Sequence, residues 1–166
     1  ENFKKIVSGY GLIIPALHAL LFKRPDLYLF GSIEKRQETI LYLKGLISLA
    51  GELSAKVLIY GSPASRKIGD RDYEKCYKIA VEIFRELAVH AQKHNTIFCI
   101  EPLSQKESDF INTAEQGYRL VRDVDHSNFG LHLDLKAMIE SKEDIDVILP
   151  KYASIMRHFH ISEPGL

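Results

Sequence analysis

The chain has 166 residues, 46% hydrophobic and 27% charged, with 22 Lys and Arg against 22 Asp and Glu, so its formal net charge is zero. That is the composition of one ordinary globular domain, residues 1–166, with enough material for a core. The balanced charge supplies no basic excess for neutralising phosphates, which argues against a nucleic-acid partner, and no apolar run approaches the roughly 18 residues of a membrane span.

Cys76 lies in a polar helical stretch and Cys99 in an apolar run. They read as two reduced thiols of a cytoplasmic protein rather than as a disulfide or zinc framework. The start, Glu1-Asn2-Phe3-Lys4-Lys5, is neither a signal peptide nor an initiator. The expectation is therefore a chain that begins inside a longer protein.

Ile13 to Leu17 is the first predicted strand. From Ser32 to Leu53 apolar residues recur at three- and four-residue spacing (Ile33, Ile40, Leu43, Ile47, Ala50), which predicts a helix of roughly six turns capped by Ser32. Lys56 to Tyr60 is a β-branched apolar run closed by Gly61-Ser62-Pro63, hence a strand and a loop. Asp72 to Lys93 repeats the helical pattern, with Tyr77, Ala80, Val81, Phe84, Leu87 and Ala88 on one side. Thr96 to Pro102 is a strand, Thr113 to Asp123 a helix capped by Asn112 or Thr113, Phe129 to Asp134 a strand, Asp144 to Tyr152 a short helix, and Ile155 to Ile161 the last strand.

Strands separated by single helices mean βαβ units and a parallel sheet. No glycine-rich phosphate loop follows a strand, so neither a dinucleotide fold nor a P-loop is supported. The remaining α/β architectures are a barrel or another doubly wound sheet. A closed (β/α)8 TIM barrel needs eight strands and about 250 residues, so if this chain is a barrel it lacks strands at both ends.

Three strands end in polar residues: Glu101 after Phe98-Cys99-Ile100, Asp134 after Leu131-His132-Leu133, and His160 between Phe159 and Ile161. Side chains alternate along a strand. Cys99 and Glu101 therefore share a face, as do His132 and Asp134, and His158, His160 and Ser162. Phe98, Ile100, Leu131, Leu133, Phe159 and Ile161 are expected to pack under the helices on the other face. Glu101, Asp134 and His160 thus point the same way from the C-terminal strand ends, where barrel enzymes do their chemistry. Buried carboxylates need a compensating charge, and two that converge repel each other. A divalent cation removes both problems. Two carboxylates and an imidazole suit Mn²⁺ first, with Mg²⁺, Co²⁺ or Zn²⁺ as the other candidates.

These segments resemble the xylose-isomerase-like superfamily, in particular its ketose 3-epimerases and sugar-phosphate isomerase/epimerases. Ile100-Glu101-Pro102-Leu103 is similar to the family's Glu ligand strand, Leu133-Asp134-Leu135 to its Asp strand and His158-Phe159-His160-Ile161-Ser162-Glu163 to its His strand. Glu107-Ser108-Asp109-Phe110-Ile111-Asn112-Thr113 resembles the stretch that follows the Glu strand. The ligand spacings, 33 residues (134 − 101) and 26 residues (160 − 134), agree with the epimerase pattern. The resemblance implies that the five strands are roughly strands 3 to 7 of the barrel, and that a fourth ligand, a Glu on the eighth strand, lies beyond Leu166. It departs at two places. Ala137 stands where the family has a substrate-contacting His, and no Arg follows His160.

The function implied is a metal-dependent isomerase or epimerase of a small-molecule carbohydrate, free or phosphorylated, working through an enediolate. Glu101 would be both ligand and acid/base, Glu107 and His18 would contact substrate, and His132 and His158 would be core or supporting residues. A homo-oligomer is allowed. Three other functions fit the same scaffold: a lyase or dehydratase on a polyol or sugar acid, an abasic-site endonuclease, and a barrel that binds sugar without catalysis. The endonuclease is disfavoured by Ala137 and the neutral charge.

Overall fold

The structure is a computed structural model and describes residues 2–162. Glu163 to Leu166, the segment after the His strand where the family carries an Arg, lies outside the described residues. The elements run α1 (Asn2–Gly9), β1 (Ala16–Leu17), α2 (Ile33–Leu53), β2 (Val57–Tyr60), a 3₁₀ turn (Pro63–Arg66), α3 (Tyr73–Lys93), β3 (Ile97–Ile100), α4 (Ala114–Val124), β4 (Phe129–Asp134), α5 (Leu135–Glu140), α6 (Ile145–Tyr152) and β5 (Met156–His160). The five strands form one parallel sheet in the order of the chain. Among the described residues β1 and β5 are its two edges, so the sheet is a partial barrel. No described helix is long and apolar enough to cross a membrane.

The inner strands β2, β3 and β4 are buried on both faces, as parallel strands are. Leu58, Tyr60, Phe98, Ile100, Leu131 and Leu133 join the main core beneath the helices. Val57, Ile59 and Cys99 form a small second cluster on the opposite, concave face. The helix face of the sheet is aromatic: Phe84 of α3 stacks on Phe129 with centroids 5.2 Å apart and meets Tyr60 edge-on at 5.5 Å. Such pairs add about 0.5–1.5 kcal/mol beyond their area.

The predicted cap Ser32 is present, and of the two candidates for α4 it is Thr113 that caps; Asp72, read as the first helical residue, instead caps α3. The three side chains accept backbone N–H bonds from Lys35, Gln116 and Lys75, each satisfying an otherwise unpaired donor of the first turn. α4 lies close over the sheet at Gly117. A Cβ there would sit 2.6 Å from Cδ1 of Leu131 and 3.0 Å from Cγ of Pro102. Alanine is the better helix former by about 1 kcal/mol, yet Gly117→Ala should destabilise by a net 1–3 kcal/mol (about) through overpacking. Denaturant unfolding checks this, and an unchanged or raised midpoint contradicts it.

Several expectations need correction. The first strand is only Ala16–Leu17, and Ile13 is exposed. Ile33 is also exposed, since it sits in the first turn of α2, and Thr39 is buried in that helix. Ile161 does not pack under the helices. β5 ends at His160, and Ile161 is 80% exposed. Pairing stops where Asp134 meets His160, so strand alternation no longer governs the next side chain. α1 and α5 were not anticipated, because eight and six residues are too few to show a period.

Candidate functional site

The concave face changes character along the strands. Low in the sheet it carries Val57, Ile59 and Cys99; at the C-terminal ends it carries Glu101, His132, Asp134 and His160. Register explains the convergence. Ile100 pairs with Leu131, and Asp134 pairs with His160. Glu101 leaves the end of β3 with its N–H still donated to the Tyr60 carbonyl at 3.2 Å. One ligand-type atom from each of Glu101, His132, Asp134 and His160 lies within 4.8 Å of the others.

Asp134 is held from two sides. Its Oδ1 accepts the Ala137 N–H at 3.0 Å, capping α5, and the Ser162 hydroxyl donates to Oδ2 at 3.1 Å. His160 Nδ1 lies 3.9 Å from Oδ2. His132 is fully buried. Its Nε2 comes within 3.3 Å of Oε1 of Glu101, yet the approach lacks hydrogen-bonding direction, and neither ring nitrogen has a partner. Unsatisfied buried nitrogens are rare and call for an explanation such as an ion. Two carboxylates and two imidazoles in one cleft fit a divalent cation of the borderline class.

Electrostatics favours the ligating forms. Burial pushes the Glu101 carboxyl up, but His132, Arg66 and His160 outweigh it and leave the group below its ordinary value. Burial first, then the neighbouring His132, depresses His160 against the pull of Glu101 and Asp134, which favours the neutral imidazole, the form that binds metal.

The structure brings the other expected residues to the same opening. His18 is exposed at the end of β1 and meets the His160 ring edge-on at 5.6 Å. Glu107 is half-buried on the loop after β3, with Oε1 3.5 Å from Nζ of Lys136. Together with Gly61, Glu101, Asp134 and Lys136 these side chains line an open cleft of about 280 Å³.

Sequence reasoning set His132 aside and missed Lys136 and Arg66. The signal for His132 was present, since it lies two residues before Asp134 on the same face. Nothing in the sequence distinguishes Arg66 from a solvated loop residue. It is fully buried in the 3₁₀ turn. Nη2 donates to the Ile111 carbonyl at 3.4 Å, while Nε and Nη1 have no partner. Burial pushes its guanidinium down to about 10, and Glu101 and Glu107 pull it back. Removing that cation should raise the Glu101 carboxyl. Arg66→Met is therefore expected to move the acid limb of any Glu101-dependent activity to higher pH in a pH–rate profile. An unmoved limb contradicts the coupling.

The family described as xylose isomerase-like TIM barrel matches residues 1–164. The chain is 34% identical over 84 residues to the D-psicose 3-epimerase of Ruminiclostridium cellulolyticum, a match that covers 51% of this chain and 29% of that protein. A crystal structure of L-ribulose 3-epimerase superposes with a TM-score of 0.85 at 20% identity over 98% of this chain and 54% of its own. The zinc-bound IOLI protein superposes at 0.78 and 20% identity over 97% of this chain and 56% of its own. The chain thus spans a little under a third of the curated relative and about half of these solved structures, and the superpositions establish the fold. On the family match over nearly its whole length, this chain belongs to the xylose isomerase-like TIM-barrel family.

Proposed function

We propose that the chain carries strands 3 to 7 of an eight-stranded barrel and the main part of the active site of a metal-dependent sugar isomerase or epimerase. The observation that carries this reading is the convergence of Glu101, Asp134 and His160, with His132 beside them, at the C-terminal edge of a parallel sheet. The similarity to a D-psicose 3-epimerase supports a ketose-type carbohydrate as substrate.

Glu101, Asp134 and His160 would hold the ion, with Mn²⁺ the first candidate. When bound, such a cation supplies Lewis-acid stabilisation of negative charge on substrate oxygens. Glu101 takes the proton from the carbon next to the carbonyl, leaving an enediolate. For isomerisation Glu101 returns that proton to the neighbouring carbon; for inversion a second acid on the opposite face donates one, the part the resemblance gives to a Glu of the eighth strand. Glu107 accepts a hydrogen bond from a substrate hydroxyl, Lys136 orients that carboxylate from 3.5 Å away, and His18 forms the opposite wall. His132 first, and the buried Arg66 after it, favour the ionised form of Glu101, the form that acts as base.

Proton NMR in D₂O of the full-length gene product with Mn²⁺, across ketoses, aldoses and their phosphates, tests this. Deuterium entering the carbon next to the carbonyl only when metal is present is the expected result. Tight metal binding with no exchange on any sugar contradicts the isomerase reading.

A further inference from the structure

The strands carry a second group of nitrogen donors, of which the proposed reaction uses only His160 as a ligand. His132 and His158 face each other across β4 and β5, one strand repeat before Asp134 and His160, which are also register partners. A repeat of two residues is about 6.6 Å. The rings of His132, His158 and His160 lie 4.3–5.3 Å apart by centroid. One nitrogen from each falls within 4.8 Å of the others. His132 is fully buried with both nitrogens unpartnered, and Nδ1 of His158 is buried without a partner as well. Three orphaned nitrogens in one pocket are more than packing alone accounts for, since each unsatisfied buried polar atom costs roughly 1–3 kcal/mol.

We propose that His132, His158 and His160 form a second, all-nitrogen seat for a borderline transition metal such as Zn²⁺, deeper in the cleft than the seat at Glu101 and Asp134. In a tetrahedral zinc site with Zn–N near 2.05 Å, ligand nitrogens stand about 3.3 Å apart. The three nitrogens therefore need to close by at most about 1.5 Å, the difference between 4.8 Å and that spacing, within the reach of side-chain rotation. The two seats share His160, and His132 adjoins both, so one ion excludes the other. Ligand chemistry divides them. Imidazoles favour Zn²⁺ and its neighbours late in the series, whereas carboxylates favour Mg²⁺ and Mn²⁺. Zinc in the deep seat leaves Glu101 and Asp134 uncoordinated, so the chain sorts metals by depth, and excess Zn²⁺ displaces Mn²⁺ from His160 and lowers activity.

X-ray absorption on the zinc-loaded, otherwise unaltered protein reads the donor set directly. Outer-shell scattering from three imidazoles with no carboxylate oxygen is expected; two imidazoles or fewer, with carboxylate oxygens, overturns the proposal. His158→Gln, titrated with Zn²⁺ and separately with Mn²⁺, should lose about tenfold or more in zinc affinity while manganese affinity changes less than about twofold. Equal losses for both metals, or none for either, likewise overturn it. These readouts are independent of turnover. A failure of the sugar-isomerase reading would appear as absent deuterium exchange and would leave the zinc coordination unchanged.

Discussion

Gly61→Ala is expected to disable the site with a single added methyl group. Gly61 follows β2 directly, and the Glu101 carboxylate lies against its α-carbon. A Cβ built there falls inside the van der Waals envelope of Oε2 and 3.3 Å from Cδ of Glu101. The carboxylate must move, because the Gly61 backbone is tied to the end of a buried strand. A displacement of about 1 Å at a catalytic group can cost on the order of 100-fold in rate. Metal-dependent deuterium exchange should fall by at least that factor, with metal affinity weakened alongside it. The thermal midpoint should move little, since the Glu101 side chain borders the open cleft and has room to swing. Full activity in Gly61→Ala would mean that Glu101 does not act from the position seen here.

Glu101→Gln separates charge from shape. The amide is nearly the same size, so the fold and the Gly61 contact persist, but both the proposed base and a proposed charged ligand are lost. Loss of a general base typically costs 10²–10⁴-fold, on the order of what exchange should show. The same substitution leaves His132 and Arg66 facing a neutral group, so the remaining metal affinity should also fall. Retained exchange in Glu101→Gln would assign the base to another residue, and Glu107 would be the first to examine.

Much of this architecture is legible from residue patterns alone. The strand ends Glu101, Asp134 and His160 could be read because a polar residue closing an apolar strand is costly without a partner, and period-two alternation places all three on one face. The long helices α2, α3 and α4 could be read because their caps and periods agree. What escaped has physical reasons. His132 reads as a core histidine until the register across β3, β4 and β5 brings its ring against Glu101. Arg66 occupies a loop segment that no periodicity describes, and its burial depends on the 3₁₀ turn folding beneath the Ile111 carbonyl. Ile161 was assigned to the core by extending alternation one residue beyond the last pairing. α5 escaped because it lasts only six residues and Asp134 turns the chain directly from strand to helix, its own side chain accepting the Ala137 N–H, and no composition rule marks that turn.

The most direct test of the central claim is anomalous diffraction at the manganese edge from crystals of the protein grown with Mn²⁺. The account predicts one strong peak within bonding distance of a Glu101 oxygen, an Asp134 oxygen and a His160 nitrogen. A peak elsewhere, or no peak at those three side chains under saturating Mn²⁺, would contradict it.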